Sequence, residues 1–194
     1  EIMPSLVGSE MCIRDSSTAS YEIASKAFAA GASHATHLFN AMPAFHHRDP
    51  GIVGAAADAP HAMVEIICDG IHIHPAVIRS VFRMFGDDRV ILISDAMRAT
   101  GMADGTYELG GQTVYKKGHF ATLADGTLAG SATNLFDCMQ NALNFGLPLE
   151  SVVRAVTYNP AKSIGMEKTI GSLTPGARAD VLLLNKKYEL ECVL

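Results

Sequence analysis

Three short apolar runs, separated by helix-like stretches, each lead into a residue that can take part in chemistry. The first run ends at His37, the second leads into the turn 69–72 (DGIH), and the third ends at Asp95. This alternation predicts parallel strands joined by helices, and the carboxyl ends of parallel strands meet at one edge of a sheet. In parallel α/β barrels that edge carries the catalytic residues. A histidine and an aspartate brought together there suit a metal ion and an activated water molecule.

The length of the chain limits which α/β fold it can form. With 194 residues, 48% of them apolar and 18% charged, the chain can bury a sizeable core. A complete eight-stranded α/β barrel needs about 250 residues, and only about three or four barrel strands can be recognised by their pattern. The fold is therefore either a smaller α/β unit or a piece of a larger one.

Charge, hydropathy and cysteine content exclude several classes of partner. The net charge is −5 and the pI about 5.9, and the longest runs of Lys and Arg are the pairs 116–117 and 186–187, so we expect no nucleic-acid partner. No apolar stretch approaches the roughly 18 residues of a membrane span, so we expect no membrane insertion. The four cysteines are scattered without a CxxC pair, which is typical of reduced thiols in a cytoplasmic protein.

Residues 1–17 (EIMPSLVGSEMCIRDSS) differ in sequence pattern from the rest of the chain. They show neither helical nor strand periodicity, and they lack the basic start and apolar centre of a signal peptide. Residues 7–16 look like translated sequencing-adapter sequence. We therefore interpret residues 1–17 as a non-native leader, an interpretation that a genomic locus encoding them would contradict.

Periodicity and turn residues predict the elements after the leader. Ser20 is a suitable N-cap and Gly31 a suitable end for a first helix, and Pro75 opens another helix that ends before Gly86. Further along, short strands around a Gly-Gly turn predict a β-hairpin flap near residues 105–128. The remaining predictions are strands at 35–38, 63–68, 90–94 and 181–184 and helices at about 52–57, 134–144 and 149–158.

Each candidate site residue also has a structural interpretation, and the residues alone leave both open. His37 either ligates a metal ion such as Zn²⁺ or Fe²⁺ or is a buried, hydrogen-bonded core histidine. Asp95 either accepts the proton of a metal-bound water and returns it to a leaving group, or it caps a helix N-terminus. His72 can orient or polarise a substrate oxygen, and Gly70 lets the backbone approach a ligand.

Basic and small residues indicate how a ligand could be held. Residues 46–48 (HHR) form a small basic cluster, and the Arg48 guanidinium suits a phosphate, although an exposed loop charge is the simpler interpretation of one arginine. Residues 128–134 (LAGSATN) form a small-residue loop that enters a helix and can offer backbone contacts to a polar ligand. Three other histidines are interpreted as surface residues: His34, His61 and His119.

Several segments together carry a resemblance that covers the chain from about residue 18 to its end. Residues 35–43 (ATHLFNAMP) are the most distinctive of them, and their combination with Arg48 is highly specific. Four others follow in a fixed order: 69–72 (DGIH), 94–96 (SDA), 128–131 (LAGS) and 159–161 (NPA). These segments resemble the N-acetylglucosamine-6-phosphate deacetylases of the amidohydrolase superfamily. Residues 171–181 (GSLTPGARADV) resemble the superfamily's return to a small β-sandwich domain.

The resemblance implies a reaction and a role for each matching residue. The reaction is hydrolysis of the acetamide of N-acetyl-D-glucosamine 6-phosphate to D-glucosamine 6-phosphate and acetate. His37 would ligate a divalent metal ion, Zn²⁺ before Fe²⁺ or others, and Asp95 would be the general base and acid. The implied substrate contacts are Asn40, the backbone of Ala41 and Arg48 at the phosphate, Asp69, Gly70, Ile71 and His72 at the sugar and acetamide, and the backbone of Leu128, Ala129 and Gly130 from the flap. Family members are homodimers, which implies a homodimer here, with phosphate contacts shared across subunits.

The resemblance also implies a fold class and a domain organisation. The class is α/β: residues 18–165 would form the later strands of a partial (β/α)8 TIM-type metal-dependent hydrolase barrel, and residues 166–194 the truncated start of a C-terminal β-sandwich. The family has a Gly-His-Ser segment whose histidine falls at Ser16 here, and its ligating Glu lies further upstream. His37 alone then remains of the three protein ligands that a catalytic zinc normally has, so the chain is predicted to be an inactive fragment.

Two alternatives from other classes stay open. Another metal-dependent amidohydrolase, such as a dihydroorotase-like enzyme or a deaminase, would share His37 and Asp95 but would not use Asn40 and Arg48 to hold a phosphate. A non-catalytic sugar-phosphate-binding module would keep the phosphate contacts, but binding alone does not need the carboxylate of Asp95. Comparing activity on phosphorylated and unphosphorylated N-acetylglucosamine distinguishes the deacetylase from another amidohydrolase. Metal analysis distinguishes it from a binding module.

Overall fold

The computed structural model describes residues 17–194. The prediction of a non-native leader concerns residues outside this range, apart from Ser17. The described elements, in chain order, are α1 (Tyr21–Ala29), β1 (His34–Ala35), α2 (Gly51–Asp58), β2 (Met63–Ile67), α3 (Pro75–Phe85), β3 (Val90–Ile93), β4 (Gly105–Leu109), β5 (Gln112–Lys117), β6 (Phe120–Thr122), α4 (Leu135–Asn144), α5 (Leu149–Val156), α6 (Tyr158–Ser163), β7 (Leu182–Leu184) and β8 (Leu190–Val193).

A parallel three-stranded sheet in the order β1-β2-β3 carries the candidate site. Val64 on the middle strand is paired with Ala35 on one side and with Val90 on the other. Because α2 connects β1 to β2 and α3 connects β2 to β3, each connection is a crossover that returns the chain to the same end of the sheet. The predicted strand–helix alternation is confirmed, the α/β class with it, and the three carboxyl ends share one edge.

Both faces of the parallel sheet are buried, as expected of strands that are covered on both sides. Val64, Ile66 and Leu92, each at most 1% exposed, pack with the helices in the main core. Ile67 and Ile91 point to the opposite face, since side chains alternate along a strand, and they are also buried. Complete burial of one such aliphatic side chain stabilises the fold by about 1.5–3 kcal/mol.

The helices that flank the sheet begin and end where their terminal residues predict. The Ser20 hydroxyl accepts a hydrogen bond from the backbone N–H of Ile23 at 3.4 Å and caps α1. Pro75 is the first residue of α3, where its missing N–H is not needed. Gly86 ends α3 with a φ of 72°, which glycine adopts without steric penalty.

The predicted hairpin is present as part of a three-stranded antiparallel sheet, β4-β5-β6. Gly110 and Gly111 both have positive φ, 58° and 82°, as a two-residue type I′ turn requires. This sheet has a small core of its own, in which Val114 is completely buried. A parallel bridge between Ala96 and Ser131 ties the segment after β6 to the residues that follow β3.

The helix predicted over residues 149–158 is divided into α5 and α6, so that prediction is wrong at its end. Thr157, at the junction, has φ −126° and ψ −76°, outside helical geometry. Pro160 explains the break, because a proline inside a continuous helix lacks the N–H for the bond to the residue four positions earlier and its ring collides there. In the first turn of a new helix Pro160 is tolerated.

The C-terminal residues form a separate antiparallel pair, β7 with β8. The predicted strand at 181–184 corresponds to β7. Three leucines of the pair are largely exposed, Leu182 at 50%, Leu183 at 45% and Leu190 at 48%, while Leu184 is partly buried against the main core. Within residues 17–194, these leucines are therefore less buried than the aliphatic residues of the parallel sheet.

His34 lies in β1 and is only 3% exposed, so its interpretation as a surface histidine is wrong. The ring Nδ1 is 2.8 Å from the Ser33 hydroxyl, and burial lowers the pKa of His34 below its usual value of 6.5. His61 and His119 are exposed, as expected. Strand position, not residue type, decides the burial of His34.

His34→Asn is expected to flatten the pH dependence of the free energy of unfolding in mildly acidic solution. Because the pKa of His34 is lower in the folded than in the unfolded chain, the unfolded chain binds the proton more readily, and stability is lost as the pH falls below about 6.5. Urea unfolding at about pH 7.5 and about pH 5.5 measures the difference. The exposed His119→Asn is the control, and an equal flattening in both variants would contradict the prediction.

Candidate active site

His37 lies in a tight turn at the carboxyl end of β1. The strand ends at Ala35, earlier than the predicted strand over 35–38, and the backbone φ values of His37, Phe39 and Ala41 are 35°, 75° and 50°. Left-handed backbone at residues other than glycine costs on the order of 1–3 kcal/mol each and persists only where the surroundings hold it. The turn therefore presents His37, 8% exposed, in a fixed position.

Two sets of hydrogen bonds hold this turn. The backbone N–H of Leu38 donates to the carbonyl of Glu65 on β2 at 2.7 Å. The Asn40 side-chain amide donates to the carbonyls of His37 and Leu38, at 3.3 and 3.4 Å. Asn40, predicted to contact a phosphate, therefore also stabilises the loop that carries His37.

Asp95 follows β3 at the same edge of the sheet. Its φ is 49°, and its carbonyl accepts a hydrogen bond from the N–H of Ser131 at 3.0 Å. A bridge and a turn follow Asp95, and the next described element is the strand β4, so the interpretation of Asp95 as a helix N-cap is wrong. The predicted loop over 128–130 lies beside Asp95, since a Cβ on Gly130 would be 3.7 Å from the Asp95 carbonyl oxygen.

Glu65, which no sequence motif marks as functional, lies on the middle strand, between the strands that lead to these two residues. Burial raises the pKa of the Glu65 carboxyl, while the charge of His37 lowers it and the charge of Asp95 raises it. His37 and Asp95 are therefore both near enough to Glu65 to influence the pKa of its carboxyl. A lone carboxylate inside the apolar run over 63–68 was the available sequence signal.

The turn after β2 contains a buried aspartate hydrogen-bonded to a histidine. One oxygen of Asp69 lies 2.6 Å from Nδ1 of His72, and the other accepts hydrogen bonds from the backbone N–H groups of Ile71 and His72, both at 2.9 Å. Burial alone would raise the pKa of Asp69, but these hydrogen bonds outweigh it and hold that pKa below its usual value. Asp69 therefore stays ionised beside His72.

Helix α4 supports the turn from behind. The Asn141 amide donates to the carbonyl of Cys68 at 3.3 Å, and a Cβ on Gly70, whose φ is 76°, would lie 3.1 Å from the Phe145 ring. Gly70 is thus required both by its backbone angle and by the close approach of that ring. The described cysteines Cys68, Cys138 and Cys192 are free, and the first two are buried, as predicted. Burial raises the pKa of Cys138 to about 12.

Arg48 lies on an exposed loop after the His37 turn. Its backbone N–H donates to Nδ1 of His46 at 3.3 Å, and the His46 and His47 rings are 4.2 Å apart. Within residues 17–194 the Arg48 side chain makes no hydrogen bond to Asn40 or Ala41. The predicted phosphate residues are therefore neighbours in the chain, and their joint contact with a ligand stays a prediction.

A family model described as the amidohydrolase family matches residues 12–193, nearly the whole chain. The chain belongs to the amidohydrolase family. The resemblance seen in the sequence is confirmed at this level, and metal dependence is general to amidohydrolases.

Relatives of this amidohydrolase chain carry deacetylase names. The N-acetylglucosamine-6-phosphate deacetylase of Bacillus subtilis (strain 168) is 41% identical over 167 residues, which are 86% of this chain and 42% of the relative. A protein of Escherichia coli (strain K12), provisionally named N-acetylgalactosamine-6-phosphate deacetylase, is 38% identical over 156 residues, which are 80% of this chain and 93% of that protein.

A solved structure has the same fold. It is an aspartate-to-alanine variant of N-acetyl-D-glucosamine-6-phosphate deacetylase from Mycobacterium smegmatis in complex with N-acetyl-D-glucosamine-6-phosphate. The match has a TM-score of 0.86 and 37% sequence identity, and it covers 91% of this chain and 47% of that one. The chain thus spans less than half the length of the Bacillus and Mycobacterium proteins.

The described part of the amidohydrolase chain does not by itself complete a metal site. Within residues 17–194 no group of three or more His, Cys, Asp or Glu side chains is arranged to hold a metal ion, whereas a catalytic zinc normally has three protein ligands. The same residues contain no helix that is long and apolar enough to span a membrane.

Proposed function

We propose that this chain is part of an enzyme that hydrolyses the acetamide of N-acetyl-D-glucosamine 6-phosphate to D-glucosamine 6-phosphate and acetate. The observation that carries the proposal is that the strands leading to His37, to the Asp69–His72 pair and to Asp95 are neighbours in one parallel sheet, so that all of these residues follow strands at the same edge. The Bacillus relative bears the name of this activity, and the Mycobacterium relative binds this sugar phosphate.

The proposed fold is the second part of a (β/α)8 TIM-type barrel over residues 18–165, with β4–β6 as a flap over the site. The three parallel strands, with helices between them, support the barrel. The antiparallel pair β7 and β8 supports the proposal that residues 166–194 begin a β-sandwich. The exposed leucines of that pair are the residues that a second sheet would cover.

Asp95 is the proposed general base and acid. Its carboxylate accepts a proton from water, the water oxygen bonds to the acetyl carbon, and the C–N bond then breaks. Asp95 returns the proton to the leaving nitrogen, so one water and one amide give an amine and acetic acid, which ionises to acetate. The hydrogen bond from the Ser131 N–H to the main-chain carbonyl of Asp95 supports a fixed backbone at this position, where φ is 49°.

The remaining residues bind and orient the substrate. Asn40, the backbone of Ala41 and Arg48 hold the phosphate, for which a guanidinium is a suitable partner. The turn over residues 69–72 holds the sugar and the acetamide, with His72 as its main contact. The backbone of Leu128, Ala129 and Gly130 lines the flap side, which the closeness of Gly130 to Asp95 supports.

We propose His37 as one ligand of a divalent metal ion, with Zn²⁺ as the first choice. The described residues do not supply the other protein ligands. The whole protein, meaning this chain with any sequence that its genome encodes on either side, is proposed to be a cytoplasmic homodimer. The buried thiols of Cys68 and Cys138 support a reducing compartment.

Acetate release by the purified whole protein tests the proposed function. The substrates are N-acetyl-D-glucosamine 6-phosphate, its galactosamine epimer, unphosphorylated N-acetylglucosamine and dihydroorotate. We expect acetate from the phosphorylated sugars and little from the unphosphorylated one. Hydrolysis of dihydroorotate would favour another amidohydrolase, and tight sugar-phosphate binding without acetate release would favour a binding module.

Arg48→Met is expected to raise KM for the phosphorylated sugar by about 10–100-fold, since a hydrogen bond to a charged group contributes about 1.5–3 kcal/mol. Turnover of unphosphorylated sugar should stay unchanged, because that substrate has no charge for Arg48 to hold. Arg83→Met, an exposed arginine on α3, is the matched control. Equal losses on both substrates would show that Arg48 does not contact the phosphate.

A further inference from the structure

We propose that Asp69 is a positioning residue that acts through His72, fixing the proton on the ring nitrogen Nδ1 and leaving Nε2 as the nitrogen that meets the substrate. The inference rests on the proposed function, in which His72 contacts the sugar or its acetamide. It assigns to Asp69 a task different from direct substrate contact.

The contacts of the Asp69 carboxylate are all within its own turn. One oxygen accepts two backbone N–H groups, from Ile71 and His72, and the other faces the His72 ring at 2.6 Å. The side chain of Asp69 has no exposed surface, while that of His72 is 8% exposed. A carboxylate engaged in this way has no oxygen that a sugar could reach, whereas His72 keeps a small exposed area.

The chemistry of the pair determines which ring nitrogen carries the proton. An ionised carboxylate can only accept hydrogen bonds, and the pKa of Asp69 is held below its usual value. Nδ1 of His72 must therefore be the donor, so a neutral ring has its lone pair on Nε2. When the ring is protonated, Nε2 becomes a donor instead.

The same carboxylate also fixes where the ring lies. It binds both the ring and the backbone N–H of His72, which leaves the imidazole little freedom to rotate. The turn is anchored below by the Asn141 amide on the Cys68 carbonyl and by the N–H of Cys68, which donates to the Ile93 carbonyl at 3.3 Å. His72 is thus tied to the strand edge next to β3, the strand that leads to Asp95.

Asp69→Asn tests the inference because it keeps the size of the side chain and reverses one hydrogen bond. The amide oxygen can still accept the two backbone N–H groups, but the amide nitrogen now donates to Nδ1, so the proton moves to Nε2. NMR of the folded 194-residue chain with isotope-labelled histidine, assigned with His72→Gln, is expected to show this change of tautomer. Asp125→Asn is the matched control, since Asp125 accepts the N–H of Thr127 in an exposed turn without a histidine.

A double-mutant cycle in the whole protein separates positioning from folding. Asp69→Asn is expected to lower kcat/KM by at least about 10²-fold, since the equivalent loss of tautomer control in serine proteases costs about 10⁴-fold in kcat. In a His72→Gln background the same substitution should cost less than about threefold more, because a residue that acts only through His72 has nothing left to position. Losses that multiply, or an unchanged tautomer, would overturn the inference. A wild-type protein without deacetylase activity would refute the proposed function, and the tautomer measurement would still decide the role of Asp69.

Discussion

Asp95→Asn is expected to reduce kcat of the whole protein by about 10²–10⁴-fold, the range that general acid–base catalysis contributes. An amide cannot accept the proton of the attacking water or return it to the leaving nitrogen, so the reaction loses both transfers. Binding of N-acetyl-D-glucosamine 6-phosphate should change by less than about threefold, because the loss falls on the transition state and not on the ground state. Stopped assays of acetate release and calorimetric titration measure the two effects separately.

Asparagine suits this test because it leaves the backbone at position 95 unstrained. The φ of Asp95 is 49°, and asparagine tolerates the left-handed region better than most residues. The Ser131 bond is made by the Asp95 main-chain carbonyl, so the substitution keeps it. Asp88→Asn is the control, since the exposed Asp88 pairs with Arg154 at 2.6 Å, away from the strand edge. Retention of more than about a tenth of the activity would show that another group acts as the base.

Helices α1 and α3 were predictable because the signals at their ends are local. Ser20 and Pro75 act on neighbouring N–H groups within one turn, and Gly86 ends a helix by its own backbone angle. The Gly110-Gly111 turn is equally local. Such features need no knowledge of the rest of the fold, so a single sequence is enough to locate them.

The turn that carries His37 could not be predicted from local sequence signals. The short segment over 35–38 (ATHL) is predicted as a strand, yet the strand ends at Ala35 and the chain enters a left-handed turn. That turn depends on the bond from Leu38 N–H to the carbonyl of Glu65, which exists only when β2 lies alongside. Strained backbone at a site is therefore a tertiary property that periodicity does not reveal.

Burial of single polar residues was the other feature that local patterns missed. His34 follows a glycine-containing turn and looks like a surface residue, but its place in β1 buries it. In the sequence Glu65 is one polar residue in an apolar strand, but in the fold the charges of His37 and Asp95 influence the pKa of its carboxyl. In both cases the sequence supplies the residue and the strand pairing supplies its environment.

The segment over 159–161 shows that a motif can indicate a family without revealing the function of its residues. It contributed to the resemblance, but no role followed from its residues. Asn159 is completely buried, and its amide donates to the carbonyls of Asp87 and Val90, at 2.6 and 2.7 Å. Because Val90 begins β3, these bonds lie at the amino end of the strand, opposite the edge that carries Asp95, where α/β barrels place structural rather than catalytic residues.

Asn159→Ala is expected to lower the free energy of unfolding by about 1–4 kcal/mol, because the buried carbonyl of Val90 and the partly buried carbonyl of Asp87 lose their donor, and an unsatisfied buried group costs about 1–3 kcal/mol. Asn159→Asp should be worse at neutral pH, since it removes the same donors and sets a charge against two carbonyl oxygens. Urea unfolding of the chain measures both, with the exposed Asn144→Ala at the end of α4 as a control that should change stability by less than about 0.5 kcal/mol. If Asn159→Asp destabilises the chain no more than Asn159→Ala does, the carbonyls of Asp87 and Val90 find other donors.

Activity per folded molecule should be unaffected by Asn159→Ala, because Asn159 secures the start of β3 and the chemistry is proposed at its end.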